Sequence, residues 1–254
     1  MDVITIINQK GGVGKSTTAL ALGHGLQEKG HSVLFIDLDA QGNISYTLNG
    51  NTDGYNALGI LQRPETAPQE IQRTGLGDLI PSTPALSGAD SILTATGKEY
   101  KLKEALEFIS KKYNYDYVII DTPPALGILT INALTASDYA IIPAQADIYS
   151  LQGITQLNNT IQVVKKYTNQ KLEILGIVLT RYNARATLTK ELTDLLEDTA
   201  KQLDTKVFKT RIRENIAVKE AQAVKQNLYT YAPKSNASKD YTALVNEIID
   251  AIIF

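Results

Sequence analysis

Gly11, Gly12, Gly14, Lys15 and Ser16 fall within six residues of one another, and together they have the chemistry to hold a polyphosphate. Glycine lacks the Cβ that would keep a polyanion at a distance, so successive backbone N–H groups can point at phosphate oxygens. Lys15 adds a point charge for β- and γ-phosphates. Ser16 adds a hydroxyl of the kind that ligates Mg²⁺ in phosphate-binding loops. Asp37 and Asp39 stand at i and i+2 in DLDAQGN, on one side of the chain if that segment is extended, and Asp121 closes the apolar run YVIID. Magnesium is bound through one or two carboxylates plus substrate phosphates, which gives acids beside a triphosphate their work.

These residues need elements that bring them together. The β-branched run from Val3 to Ile7 stops at Asn8-Gln9, and after the glycines Ser16-Thr17-Thr18 opens a helical pattern carrying Ala19, Leu20, Leu22 and Leu26. That is a strand, a tight loop and a helix N-terminus, which favours anions. Gly30 suits the residue after the helix end, and Ser32 to Ile36 reads as a buried strand delivering Asp37. Tyr115 to Ile120 is a second buried strand, ending in Asp121 and the loop DTPPALG. Carboxylates at strand C-termini share a crevice with the phosphate loop.

KEYKLKEALEFISKKY predicts a helix with Leu102, Ala105, Leu106 and Ile109 on one face, and Asp147 to Tyr167 a longer one with apolar positions Ile148, Leu151, Ile154, Leu157, Ile161 and Val164. Tyr139 to Pro143 and Glu173 to Thr180 read as further core strands. This alternation predicts an α/β fold with a doubly wound, mainly parallel sheet and helices on both faces. Residues 44 to 98 carry only short pieces: a helix over Tyr55 to Leu61, a strand over Leu76 to Ile80, a helical stretch over Pro84 to Leu93.

A chain of 254 residues with 43% hydrophobic content can bury one large α/β core, and a single domain over 1–254 is expected. With Cys 0, disulfides, thiolate metal sites and iron–sulfur ligation are excluded. No N-terminal leader pattern and no run long enough to span a bilayer is present, so a cytoplasmic protein is expected. A net charge of −2 confines any nucleic-acid affinity to a local patch.

The loop departs informatively from G-x-x-x-x-G-K-[ST]: Gln9 replaces the first glycine and Lys10 follows it, giving KGGVGKS. Lys10 stands on the outer shoulder, with no task there unless negative charge approaches from outside. The loop resembles the deviant Walker A motif of the ParA/MinD/nitrogenase-iron-protein class of P-loop ATPases. The resemblance implies ATP and Mg²⁺ as cofactors, a nucleotide-dependent homodimer, and a Lys10 that crosses to the partner's nucleotide. Gly11, Gly12, Val13, Gly14, Lys15, Ser16 and Thr17 would then hold the nucleotide, and Ser16 and Asp121 the metal. DLDAQGN resembles the DxDPQGN signature of the ParA branch with Ala40 for the proline, which implies that Asp39 positions the hydrolytic water and Asp37 supports the metal's outer shell. DTPPALG resembles the second switch. The absence of cysteine rules out the redox role of the nitrogenase iron protein.

TRYNARATL is similar to that family's T-x-x-[DN]-x-R-T-x-L stretch, so Arg185 is expected at DNA and Asn183 near the adenine. Lys201 to Lys225 carries a basic excess. TRIRENIAVKEA looks like the family's x-I-P-R-N-x-x-x-x-E-A, but Arg213 stands at the proline and Ala217 where a DNA-contacting arginine often does. Arg213, Lys219 or Lys225 would have to replace that contact. Ser238 to Phe254 predicts a helix burying Leu244, Val245, Ile248, Ile249 and Ile252, whose polar face carries Asp240, Glu247 and Asp250 rather than the basic residues of a membrane anchor. His24 and His31 have no metal-ligand companions, and no catalytic role is read for them.

Taken over the chain, the resemblance is to ParA/Soj-type partition ATPases without an N-terminal helix-turn-helix domain. It implies slow intrinsic ATP hydrolysis, non-specific double-stranded DNA binding by an ATP sandwich dimer, a ParB-like centromere-binding partner, nucleoid association and no membrane partner. The rival readings are a MinD-like membrane-cycling ATPase and a nucleotide-dependent scaffold.

Overall fold

The computed structural model describes residues 1–183 and 187–253. In chain order the elements are β1 (Asp2–Ile6), α1 (Lys15–Glu28), β2 (Val33–Asp37), α2 (Asn43–Thr47), α3 (Ala57–Gln62), β3 (Gln72–Thr74), β4 (Gly77–Ile80), α4 (Ala89–Ile92), α5 (Lys101–Ser110) and β5 (Tyr117–Asp121). They continue through α6 (Ile128–Ala136), β6 (Tyr139–Ala144), α7 (Ile148–Tyr167), β7 (Glu173–Tyr182), α8 (Thr187–Gln202), β8 (Val207–Arg213), α9 (Ile216–Ala223), α10 (Leu228–Tyr231) and α11 (Asn236–Ile253).

The eight strands form one sheet in the order β3-β4-β2-β5-β1-β6-β7-β8. Every pairing is parallel except β3 with β4. Both faces are covered, as parallel strands require. On β1, Ile4 and Ile6 pack with α1 and α11 through Leu22, Leu26, Tyr241 and Leu244. Val3 belongs to the core cluster that holds the buried side chains of α5, and Ile7 to the one that holds those of α7. The architecture is the doubly wound α/β fold that the sequence predicts.

Register positions the chemistry. Asp37 on β2 and Ile6 on β1 are both partners of Asp121 on the intervening β5, so two acids and the start of the glycine loop lie level at one end of the sheet.

Two strands escaped the sequence reading. β3 is three residues long and half-exposed, too short to show a period. β8 reads as a charged stretch because its outward positions are Lys209, Arg211 and Arg213, while Phe208 and Ile212 point into the core. As the sheet's last strand it has free N–H groups, and α11 takes them up. Glu247 accepts from the N–H of Lys209 (2.8 Å) and of Thr210 (3.0 Å), and Asp240 from that of Arg213 (3.0 Å). The acidic face of the last helix is therefore a cap on an edge strand, which otherwise invites pairing with another chain.

Candidate phosphate and magnesium site

At the C-terminal end of the sheet lies a cavity of about 590 Å³, bordered by Gly11, Gly12, Gly14, Lys15, Ser16 and Asp39. Gly12 and Gly14 adopt φ of +75° and +92°, a left-handed conformation that only glycine takes cheaply. A Cβ on Gly11 or Gly12 would meet no atom within 4 Å: the space in front of the loop is kept clear. α1 starts behind it with Gly14 at its cap, no side-chain cap and no acid in its first turn, so its N–H groups and dipole remain available to an anion.

The loop is clamped by residues the sequence reading overlooked. Asn8 donates to the Pro143 carbonyl (2.7 Å) and accepts from the Lys10 N–H (2.9 Å). Thr180 at the end of β7 donates to the Val13 carbonyl (2.7 Å). Both are polar residues at strand ends, and their partners lie more than 130 residues away in sequence, so no local pattern announces them.

The three acids do different things. Asp37 is fully buried and accepts from the Ser45 N–H (2.8 Å), the Ser45 hydroxyl (2.7 Å) and the Asp39 N–H (3.2 Å). It anchors the turn that carries Asp39, a duty the sequence reading did not assign it. Burial raises its pKa to about 6. Asp39 borders the cavity, its carboxylate accepting from the Gln41 N–H (3.0 Å) while its carbonyl takes the Ser82 hydroxyl (2.5 Å). Asp121 is fully buried, and neither carboxylate oxygen has a hydrogen-bond partner. Burial, then the charge of Asp37, pushes its pKa well above the usual carboxylate value, with Ser16 and Lys15 pulling the other way.

Lys15 is 7% exposed, and burial lowers its pKa against the attraction of Asp121 and Asp39. A buried ammonium facing buried acids across a cleared space is an arrangement that a phosphate–magnesium pair would complete, neutralising both signs at once. Among the described residues no three His, Cys, Asp or Glu side chains form a metal cage by themselves. That suits Mg²⁺, which keeps waters and takes phosphate oxygens as ligands. Ser16 and Asp121 are the residues that fit it.

Lys10 has a partner inside the chain. Its ammonium lies 2.5 Å from Asp147, the N-cap of α7, and 5.8 Å from the Tyr149 ring centre. Burial would raise the Asp147 pKa, but the Lys10 ammonium and the Ser150 N–H hold it below the usual value. The expectation that Lys10 has nothing to do until charge arrives from outside is corrected: Asp147, distant in sequence, meets it here.

The other expected site residues are spread over different surroundings. Val13 is fully buried, and the Thr17 hydroxyl accepts from Gln222 of α9 (3.1 Å). Lys219 borders the phosphate cavity, and the Lys225 ammonium rests 4.2 Å from the Tyr46 ring centre. Arg213 makes a bidentate ion pair with Asp240 at 2.9 and 2.6 Å. Asn183 lines a second cavity, between the ends of β7 and β8, rather than the phosphate cavity. Arg185 lies outside the described residues.

A glycine loop between β1 and α1, a lysine at each end of it, and acids at the ends of β2 and β5 define a P-loop nucleoside triphosphatase of the two-lysine kind. Residues 1–174 match the family described as an AAA domain. The chain is 41% identical over 251 residues to the sporulation initiation inhibitor protein Soj of Bacillus subtilis, covering 97% of each. It is 39% identical over 253 residues to the chromosome partitioning protein ParA of Caulobacter vibrioides, covering 97% of this chain and 93% of that one. The structure of cobyrinic acid a,c-diamide synthase from Mycobacterium smegmatis with bound ATP analog and magnesium superposes at a TM-score of 0.83 and 31% identity, over 98% of this chain and 94% of that one. The chain belongs to the ParA/Soj family of P-loop ATPases.

Proposed function

We propose that this protein is a DNA-partition ATPase: ATP drives two copies into a sandwich dimer that holds duplex DNA without sequence preference, and a ParB-like partner accelerates hydrolysis and releases it. The observation that carries the reading is the bare, buried carboxylate of Asp121 behind a loop with a lysine at each end.

When bound, ATP would supply the electrophilic phosphorus and Mg²⁺ would screen the charge that develops on transfer. The N–H groups of Gly11 to Ser16 would hold the phosphates, Lys15 would neutralise them from within, and Ser16 and Asp121 would hold the metal. Asp39, fixed by Gln41 and Ser82, orients the attacking water. Lys10 exchanges Asp147 for the partner's phosphates on dimerisation. Among the described residues lining the cavity Asp39 is the only carboxylate and there is no histidine, so intrinsic turnover is slow, catalysis resting on positioning and neutralisation. The protein acts in the cytoplasm on the nucleoid. Among the described residues no helix is long and apolar enough to cross a membrane.

The test is binding to a non-specific duplex without nucleotide, with ADP and with ATP, for the wild type and Lys10→Ala. Binding that requires ATP, weakens with salt and disappears in Lys10→Ala is the expected result. ATP binding with no DNA affinity at any salt overturns the reading.

A further inference from the structure

The ends of β7 and β8 enclose a cavity of about 550 Å³ whose lining includes Arg181, Tyr182, Lys209, Arg211, Arg213 and Glu214. Arg213 is already satisfied by Asp240. Arg181, Lys209 and Arg211 remain against one acid, Glu214, so the surface carries a cationic excess in a protein of net charge −2.

Arg211 is held against Tyr182. Its guanidinium carbon lies 4.7 Å from the Tyr182 ring centre, one terminal nitrogen donates to the Tyr182 hydroxyl at 2.6 Å, and its Nε is buried with no acceptor. A buried donor with no acceptor carries a free-energy cost, and the Tyr182 contacts hold the guanidinium in place against it. Arg181 has φ of +48°, an unusual backbone for arginine, and borders both this cavity and the phosphate cavity. The basic surface therefore begins where the nucleotide site ends.

Two observations select the ligand. The edge N–H groups of Lys209, Thr210 and Arg213 are occupied by Glu247 and Asp240, so those donors are not free to pair with an extended peptide, and side-chain charge is what this edge offers. Lys209 and Arg211 stand two residues apart on one face of β8, about 6.6 Å along the strand. Duplex DNA carries one negative charge per about 1.7 Å of axis, enough to engage both cations and Arg181 together.

We propose that Lys209 and Arg211 of β8, with Arg181 beside them, contact the phosphodiester backbone of duplex DNA. This moves the DNA-facing role from Arg213, Lys219 and Lys225, which are paired, turned to the nucleotide cavity or stacked on Tyr46, to an edge strand. It rests on the partition reading.

The test is ATP-dependent binding of a non-specific duplex across a salt series by the wild type, Lys209→Ala, and Lys209→Ala with Arg211→Gln. ATP-driven dimerisation, measured by sedimentation, serves as the control for folding. The double variant is expected to dimerise, to bind about tenfold or more weakly, and to show a plot of log K against log salt shallower by about 0.9 for each phosphate no longer neutralised. Lys209→Ala, at an exposed position, shows the smaller loss without risk to the core. If the wild type binds and the double variant binds with the same affinity and slope, the proposal is wrong and the partition reading stands. If the wild type binds no duplex in any nucleotide state, both fail. Wild-type affinity for poly-glutamate that the double variant loses, with DNA binding unchanged, assigns the surface to an acidic protein segment and overturns the proposal.

Discussion

Asp121 and His24 are both buried, and their titrations have opposite consequences. Asp121 has no hydrogen-bond partner and a raised pKa, so above that pKa the ligand-free protein holds an ionised carboxylate against burial. Asp121→Asn removes the charge. In melts without nucleotide the stability of the variant relative to the wild type should rise as pH is raised, because only the wild type then ionises a buried carboxylate, while the further gain given by Mg²⁺ and ATP is lost. A difference between the two that does not grow with pH would sink this account. His24 contacts the Leu76 carbonyl at 3.1 Å and lies edge-on to Phe35, and burial lowers its pKa to about 4 from 6.5. Below pH 6.5 the unfolded chain binds this proton and the native one does not. Stability present above 6.5 is thus lost as pH falls toward 4. His24→Gln keeps a donor for Leu76 and should flatten that part of the stability–pH curve, read from urea midpoints at pH 7, 5.5 and 4.5.

At the scale of elements, α11 is a cap as well as a core helix. Its apolar side brings Tyr241, Leu244, Val245 and Ile248 into the cluster beneath α1, and its acidic side closes β8. Glu247→Ala removes the acceptor from two backbone donors at a solvent-accessible edge, so the expected cost is about 0.5–1.5 kcal/mol rather than that of a buried orphan. Hydrogen exchange should quicken at the Lys209 and Thr210 amides and leave those of β1 and β5 unchanged. Uniform acceleration across the sheet would mean that α11 acts only through its apolar side. The exposure of a free edge also predicts concentration-dependent association of this variant.

For the whole molecule, the proposed cycle links nucleotide state to copy number. If ATP gathers two chains, the melting temperature with Mg²⁺ and ATP rises with protein concentration, whereas with ADP it does not. Lys10→Ala should retain stabilisation by ATP and lose its dependence on concentration. A melting temperature independent of concentration in ATP would argue for a monomeric nucleotide cycle.

What the sequence by itself determined is whatever depends on neighbours along the chain. The glycine loop with its two lysines and the buried runs ending in Asp37 and Asp121 are each written in stretches of fewer than twenty residues, and the alternation that makes a parallel sheet is a succession of such local patterns along the chain. Short-range sterics and hydrophobic periodicity suffice to read them. Tertiary structure decided what each charge meets. Lys10 finds Asp147, Asp37 is drawn into holding Ser45, Lys219 turns to the nucleotide cavity, and Asp240 and Glu247 face an edge strand hidden among its own basic residues. A charge has no periodicity to betray its partner. Its free energy is set by burial and by groups brought near from far along the chain, and those exist only once the sheet has formed.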